Sequence, residues 1–282
     1  MKIFISADME GISGVATNQQ LKTNFEYQRF RKLMTADVNA AIEGAFNGGA
    51  TEVVVADGHG NMSNILIEEL DQRARLVSGS NRVMCQLEGL DESFDAVMFV
   101  GHHGREGGSA KTVISHSLAG VCVNEMKING KVVGETEMNA YVAGAFGCPS
   151  IFISGDDVYV NEVKETLPHV ESVVTKKAID RFSAELVHPE VVCKEIKEKA
   201  EIAVKHAKNQ EPLKIEGSTT FEIEFKGPQQ ASMTTTIPIV EQLDPKRIRF
   251  TCGDIVTAYK CMWACVIIAI TATNGVMGNV NA

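Results

Sequence analysis

Four short apolar runs punctuate the first part of the chain: Lys2–Ala7 (KIFISA), 52–56 (EVVVA), 95–100 (DAVMFV) and 150–154 (SIFIS). Each is too short for a helix and apolar at nearly every position, the pattern of a strand buried on both faces. Between them the spacing changes. Phe30, Leu33, Met34, Ala41, Ile42 and Phe46 recur with helical period over 26–46, and Gly48 and Gly49 stop the helix. A second helix is predicted over 135–146, ended by Gly147 and Pro149. A third opens at His188-Pro189, with Val192, Ile196, Ala200 and Ala203 on one face. Strand–helix alternation of this kind builds a parallel sheet with helices on both faces.

The pattern changes after residue 208. The segment 208–214 (KNQEPLK) is polar and reads as a linker. Thr219–Phe225 and 247–251 then alternate as half-buried antiparallel strands do. Earlier, Asn129-Gly130 between 121–128 and 131–134 predicts a tight hairpin. Asp254 is placed to cap a last helix carrying Trp263. Within it the apolar run 261–270 is shorter than the ~20 residues a bilayer requires, so a buried helix is expected. Residues 276–282 are expected to fray. The expected fold class is α/β: a three-layer α/β/α core with a mainly parallel sheet over 1–210, including the hairpin at about 113–134. A smaller α+β portion over 211–282 completes it.

Composition narrows the function classes. The chain has 282 residues, 44% of them hydrophobic, which argues against disorder. Asp plus Glu number 36 against 27 Lys plus Arg, a net charge of −9. That excess argues against nucleic acid or an anionic membrane surface as partner. The start lacks an apolar signal segment, so a cytoplasmic protein is expected. Seven scattered cysteines without a C-x-x-C predict reduced, buried thiols.

The chemistry gathers at the strand ends. The first strand is followed by Asp8-Met9-Glu10, the second by Asp57-Gly58-His59, the third by His102-His103 and the fourth by Asp156-Asp157. In open α/β sheets, ligands bind at the carboxyl ends of the strands. Carboxylates with imidazoles and no thiolate suit zinc and neighbouring metals. Asp8 and Glu10, two apart, would face the same way in extended chain. By the same alternation only one of His102 and His103 is expected to enter a site. Other readings stay open at this point. Asp8 also suits a turn cap, His59 an exposed loop and His116 a solvated strand. Asp156-Asp157 suits a helix N-cap better than ligation. Spacing does not choose between Glu135 and Glu137. His169, His188 and His206 read as structural or surface residues.

These motifs resemble, in order, those of the bacterial zinc D-aminopeptidase family (dipeptide transport protein, DppA-like). Ser6-Ala7-Asp8-Met9-Glu10-Gly11 is similar to its S-x-D-x-E-G opening, and Asp57-Gly58-His59 to its D-x-H. Gly101-His102-His103-Gly104-Arg105 is similar to G-x-H-x-R, and Ser115-His116-Ser117 to S-H-S. Val133-Gly134-Glu135, Asn139 through Gly144 (NAYVAG) and Gly155-Asp156-Asp157 continue the likeness. It is close over the first 160 residues and loose beyond. The resemblance implies two zinc ions per subunit. Asp8 would bridge both, Glu10 and His103 would complete one ion's ligands, and His59 and Glu135 the other's. It implies His116 as the catalytic residue and a homo-oligomer, a ring-stacked decamer enclosing its active sites. One departure is the segment between His103 and His116, slightly longer here and carrying Glu106-Gly107-Gly108.

The implied reaction is hydrolysis of N-terminal D-amino acids, of the D-Ala type, from short peptides by a hydroxide bridging two zinc ions. His116 would serve as base, acid or oxyanion stabiliser. Arg105 is a candidate fork for a substrate carboxylate, or else a surface ion pair. Asp57 is placed to orient His59 from behind. The alternatives are another two-metal hydrolase acting on L-peptides, amides or phosphoesters, and a non-enzymatic dipeptide-binding transport component.

Overall fold

The structure is a computed structural model that describes residues 1–22 and 25–275; the expected frayed end, 276–282, lies outside the described residues. In chain order its strands are β1 (Lys2–Ala7), β2 (Glu52–Asp57), β3 (Ala74–Val77), β4 (Ala96–Val100), β5 (Val123–Ile128), β6 (Lys131–Val132), β7 (Ser150–Asp156), β8 (Glu171–Asp180), β9 (Ser183–Leu186), β10 (Thr219–Phe225), β11 (Glu241–Gln242) and β12 (Arg247–Cys252). The α-helices are α1 (Phe25–Asn47), α2 (Glu135–Ala145), α3 (Asp157–Lys164), α4 (Pro189–His206), α5 (Pro228–Thr234) and α6 (Ile255–Ala272).

Two sheets form. The first runs β3-β2-β1-β4-β7-β8-β9, parallel throughout except for the antiparallel edge strand β9. Its central strands are buried on both sides, as their unbroken apolar sequences require. Ile3, Ile5, Val53, Val55, Ala96 and Met98 share one core with residues of α1 and α4. Phe4, Val54, Val97 and Phe99 join a second core with α2, α6 and the inner face of the second sheet. The chain leaves β1 for β2 on one side and has β4 on the other, so the strand order reverses between β1 and β4. That switch point opens a crevice at their carboxyl ends.

The second sheet, β11-β12-β10-β5-β6, is antiparallel. The Asn129-Gly130 hairpin forms as expected, both residues with positive φ. Its strand β5, however, pairs with β10 of the C-terminal portion rather than with the first sheet, and β6 forms the edge beyond it. The second unit is therefore built from two separated stretches of sequence, because β5 supplies the neighbour that β10 would otherwise lack.

The helix ends follow their sequence signals. Asp156 Oδ1 accepts from the backbone N–H of Tyr159, and Asp254 Oδ1 from Thr257. The last helix differs in one respect from the expected buried rod. Ile255, Ala258, Tyr259, Met262, Cys265, Val266 and Ala269 face inward, but Ile267 and Ile270 are 47% and 39% exposed. By length and composition α6 is long and apolar enough to cross a membrane, with 44% of it buried. The seven thiols are free; Cys193 and Cys261 are only partly covered, the others buried.

Candidate metal centre

The crevice beside β1 and β4 gathers the predicted side chains. Asp8 and Glu10 lie on the bend after β1, His59 on the loop after β2, and His102 and His103 after β4. His116 sits in the loop before β5, and Glu135 is the first residue of α2, where the helix dipole favours an anion. The bend packs directly on the β4 exit. A Cβ on Gly11 would lie 1.8 Å from the His102 carbonyl oxygen, and one on Gly101 would lie 2.4 Å from that of Asp8. Asp8 N–H donates to Val100 O and Gly11 N–H to Gly101 O.

The two oxygens of Asp8 face different neighbours. Oδ1 is 3.4 Å from His59 Nδ1; Oδ2 is 3.6 Å from His103 Nε2 and 3.9 Å from His102 Nδ1. Glu10 Oε2 is 3.0 Å from His59 Nδ1, and Glu135 Oε1 is 3.4 Å from His103 Nε2. The shortest contacts thus set Glu10 beside His59 and Glu135 beside His103, while Glu10 and His103 also offer ligand atoms within 4.8 Å of one another. His116 stacks on His103 at 4.1 Å, its Nε2 3.9 Å from Glu10 Oε1 and 4.0 Å from Glu135 Oε1.

Two of the imidazoles, His103 and His116, are anchored through Nδ1. His103 Nδ1 donates to Gly104 O at 3.0 Å and His116 Nδ1 to Ile114 O at 2.9 Å. A carbonyl only accepts, so each ring presents Nε2 to the carboxylates. His103 Nε2 and His102 Nδ1 are buried without a hydrogen-bond partner. Three buried carboxylates around such orphaned nitrogens form a site that favours a cation. The local electrostatics agree with this. Burial pushes Glu10 up, but His59, His116 and His103 outweigh it and hold the carboxyl well below its usual range. Burial pulls His103 down, yet Glu135, Glu10 and Asp8 lift it to about 9. Carboxylate oxygen and imidazole donors fit zinc. Atoms of Asp8, Glu10 and His59 lie within 4.8 Å of one another, as do those of Asp8, His102 and Glu135, and of Glu10, His103 and His116.

Several sequence expectations change here. Both His102 and His103 bring a nitrogen toward Asp8, because β4 ends at Val100 and strand alternation no longer applies. Glu135 enters the site, while Glu137 accepts from its own helix's Gly134 N–H. Asp57 does not touch the His59 ring. It accepts from Asn64 Nδ2, which also donates to His59 O, so it acts on the loop backbone. Arg105 pairs with Glu162 at 3.7 Å, and its N–H donates to the same carboxylate.

Other contributors carried no sequence signal. Gln86 donates to Glu135 Oε2 at 2.6 Å and is itself held by Asn139. Thr175 donates to Gly11 O, and the fully buried Lys176 to Glu10 O. Register slips at this point of the β7–β8 pairing, which turns both neighbours toward one bend.

The profile of the Peptidase_M55 family, D-aminopeptidase, matches residues 1–264. A D-aminopeptidase of Bacillus subtilis (strain 168) is 34% identical over 264 residues, 93% of this chain and 95% of its own. The solved structure of Zn-dependent D-aminopeptidase DppA from Bacillus subtilis, a self-compartmentalizing protease, is similar with a TM-score of 0.92. It is 33% identical, and the match covers 96% of this chain and 98% of that one. With a family profile spanning nearly its whole length, the chain belongs to the Peptidase_M55 family of D-aminopeptidases.

Proposed function

We propose that the protein is a zinc-dependent aminopeptidase that removes N-terminal D-amino acids, of the D-Ala type, from short peptides at a two-zinc centre. The observation that carries this reading is Asp8, whose two oxygens face separate groups of donors. Asp8, Glu10 and His59 would hold one ion; Asp8, His103 and Glu135 would hold the other. Zinc there would polarise the scissile carbonyl and acidify the attacking water. His116, anchored through Nδ1, presents Nε2 to take a proton from that water and pass it to the leaving amine. Gln86 and the Leu118 N–H fix the two oxygens of Glu135, so its carboxylate is oriented before substrate arrives.

The D-selectivity follows the activity of the Bacillus subtilis relative. A homo-oligomer is suggested by the self-compartmentalizing assembly of the solved Bacillus subtilis structure, and a decamer as its form by the family resemblance alone; the apolar outer face of α6 suits contact with another copy.

The test is alanine release from D-Ala-D-Ala and L-Ala-L-Ala, before and after stripping metal, with zinc added back. D-selective release that zinc restores is expected. Cleavage of neither peptide by protein that still binds zinc would discard the substrate, and a phosphoester or amide would then be assayed.

A further inference from the structure

His116 sits in a turn that unusual backbone conformations create. Ile114 has φ 49° and Leu118 φ 57°. A β-branched residue at positive φ is strained, and such strain persists only where the surroundings over-determine it. At Ile114 the strained unit does specific work: its carbonyl receives His116 Nδ1–H, which leaves Nε2 aimed at Glu10 and Glu135.

Arg181, in the turn between β8 and β9, grips this unit from both sides. Its carbonyl accepts the Ile114 N–H at 2.9 Å, and its Nη2 donates to Ser115 O at 2.6 Å. The same guanidinium reaches Glu106, at 3.2 and 3.4 Å. Glu106 closes the ring, since its own N–H donates to Ser117 Oγ at 3.3 Å. Lys226 Nζ lies 3.9 Å from Glu106 and donates to Gly120 O, tying in the second sheet. The hydrogen bonds of the Arg181 side chain go to Glu106 and Ser115, not to a candidate metal ligand.

We propose that Arg181, braced by Glu106, is a positioning residue that holds the His116 turn in its strained form, so that His116 Nε2 faces the metal-binding carboxylates. The proposal rests on His116 acting in the D-aminopeptidase reaction.

The experiment compares R181A, R181K, E106Q and H116A with the wild-type zinc enzyme. It measures kcat, KM, bound zinc and unfolding midpoint, and determines a crystal structure of R181A. R181A is expected to lose about 10- to 100-fold in kcat, the scale of a misplaced catalytic group, with KM, zinc and midpoint near wild type. R181K keeps the backbone bond and one donor but not the fork, and recovers part of the rate. E106Q leaves the backbone contacts in place and loses less than R181A. In the R181A crystal the His116 ring is turned away from Glu10 and Glu135. Wild-type kcat in R181A, an unmoved His116 ring, or a rate loss matched by zinc loss would overturn the proposal. If R181A does not fold, E106Q decides, and wild-type kcat there overturns it. The functional reading fails separately. Wild-type kcat in H116A would end the role of His116 in the reaction, whereas a displaced ring in R181A would still support the positioning geometry.

Discussion

The two sheets treat charge in opposite ways. In the first, charged groups stand at the strand ends, buried, with the carboxylates of Asp8 and Glu10, and of Asp8 and Glu135, offering oxygens within 4.8 Å of one another. In the second, β10 alternates strictly: Phe221, Ile223 and Phe225 point inward, and Glu222 and Glu224 outward. There Glu224 pairs with Arg247 at 3.0 Å and Arg249 with Glu241 at 2.9 Å, all in contact with water. Charge on the second sheet keeps a face wet and a register fixed. Charge at the edge of the first is stored at a cost in free energy that a bound cation would offset. The same residue types are thus inexpensive in one place and functional in the other, and burial decides which.

Breaking the contrast begins at the metal centre. Asp8→Asn and Glu135→Gln should each lower activity by about 10³-fold or more and release zinc, as metal analysis of the purified variants would read. His116→Ala should keep its zinc and lose about 10²- to 10⁴-fold in kcat. Equal zinc loss in all three would make His116 a ligand. In the second sheet the large effect lies inside, not outside. Phe221→Ala should cost about 3–5 kcal/mol in urea unfolding, and the folded fraction should bind zinc as before.

Asp37 sharpens the comparison, being a buried acid away from the candidate ligands. Burial raises it to about 6, against the lowering effect of bonds from Ser13 and Cys193. The folded state therefore keeps a proton that the unfolded chain has already released between about pH 4 and pH 6, so stability falls as pH rises through that window. Asp37→Asn should flatten this fall, worth up to about 3 kcal/mol, in unfolding curves measured across it. An unchanged slope would mean that Asp37 is ionised when folded. The smallest effect is expected outside the second sheet, where Arg247→Ala should leave the unfolding midpoint where it was.

Much of this was legible in the sequence, for identifiable reasons. Strands buried on both faces are unbroken apolar runs, so β1, β2, β4 and β7 stood out, and their ends pointed to Asp8, His59 and His103. The strand β8 did not, because Lys176 in its middle reads as a solvent-facing residue, whereas it is buried under Glu10. Gln86 and Arg181 were invisible for a related reason. Their roles come from partners 49 and 66 positions away in the chain, and no local period encodes such a pairing. The outer face of α6 was missed because a uniformly apolar run does not say which side is covered.

The hairpin of β5 and β6 has one more consequence, which concerns time rather than space. It lies between His116 and Glu135, and its partner β10 is made roughly ninety residues later. A chain emerging from the ribosome therefore carries every candidate ligand long before it owns the strand that braces the segment between them. A product truncated before β10, though it retains all the candidate ligands, lacks that brace.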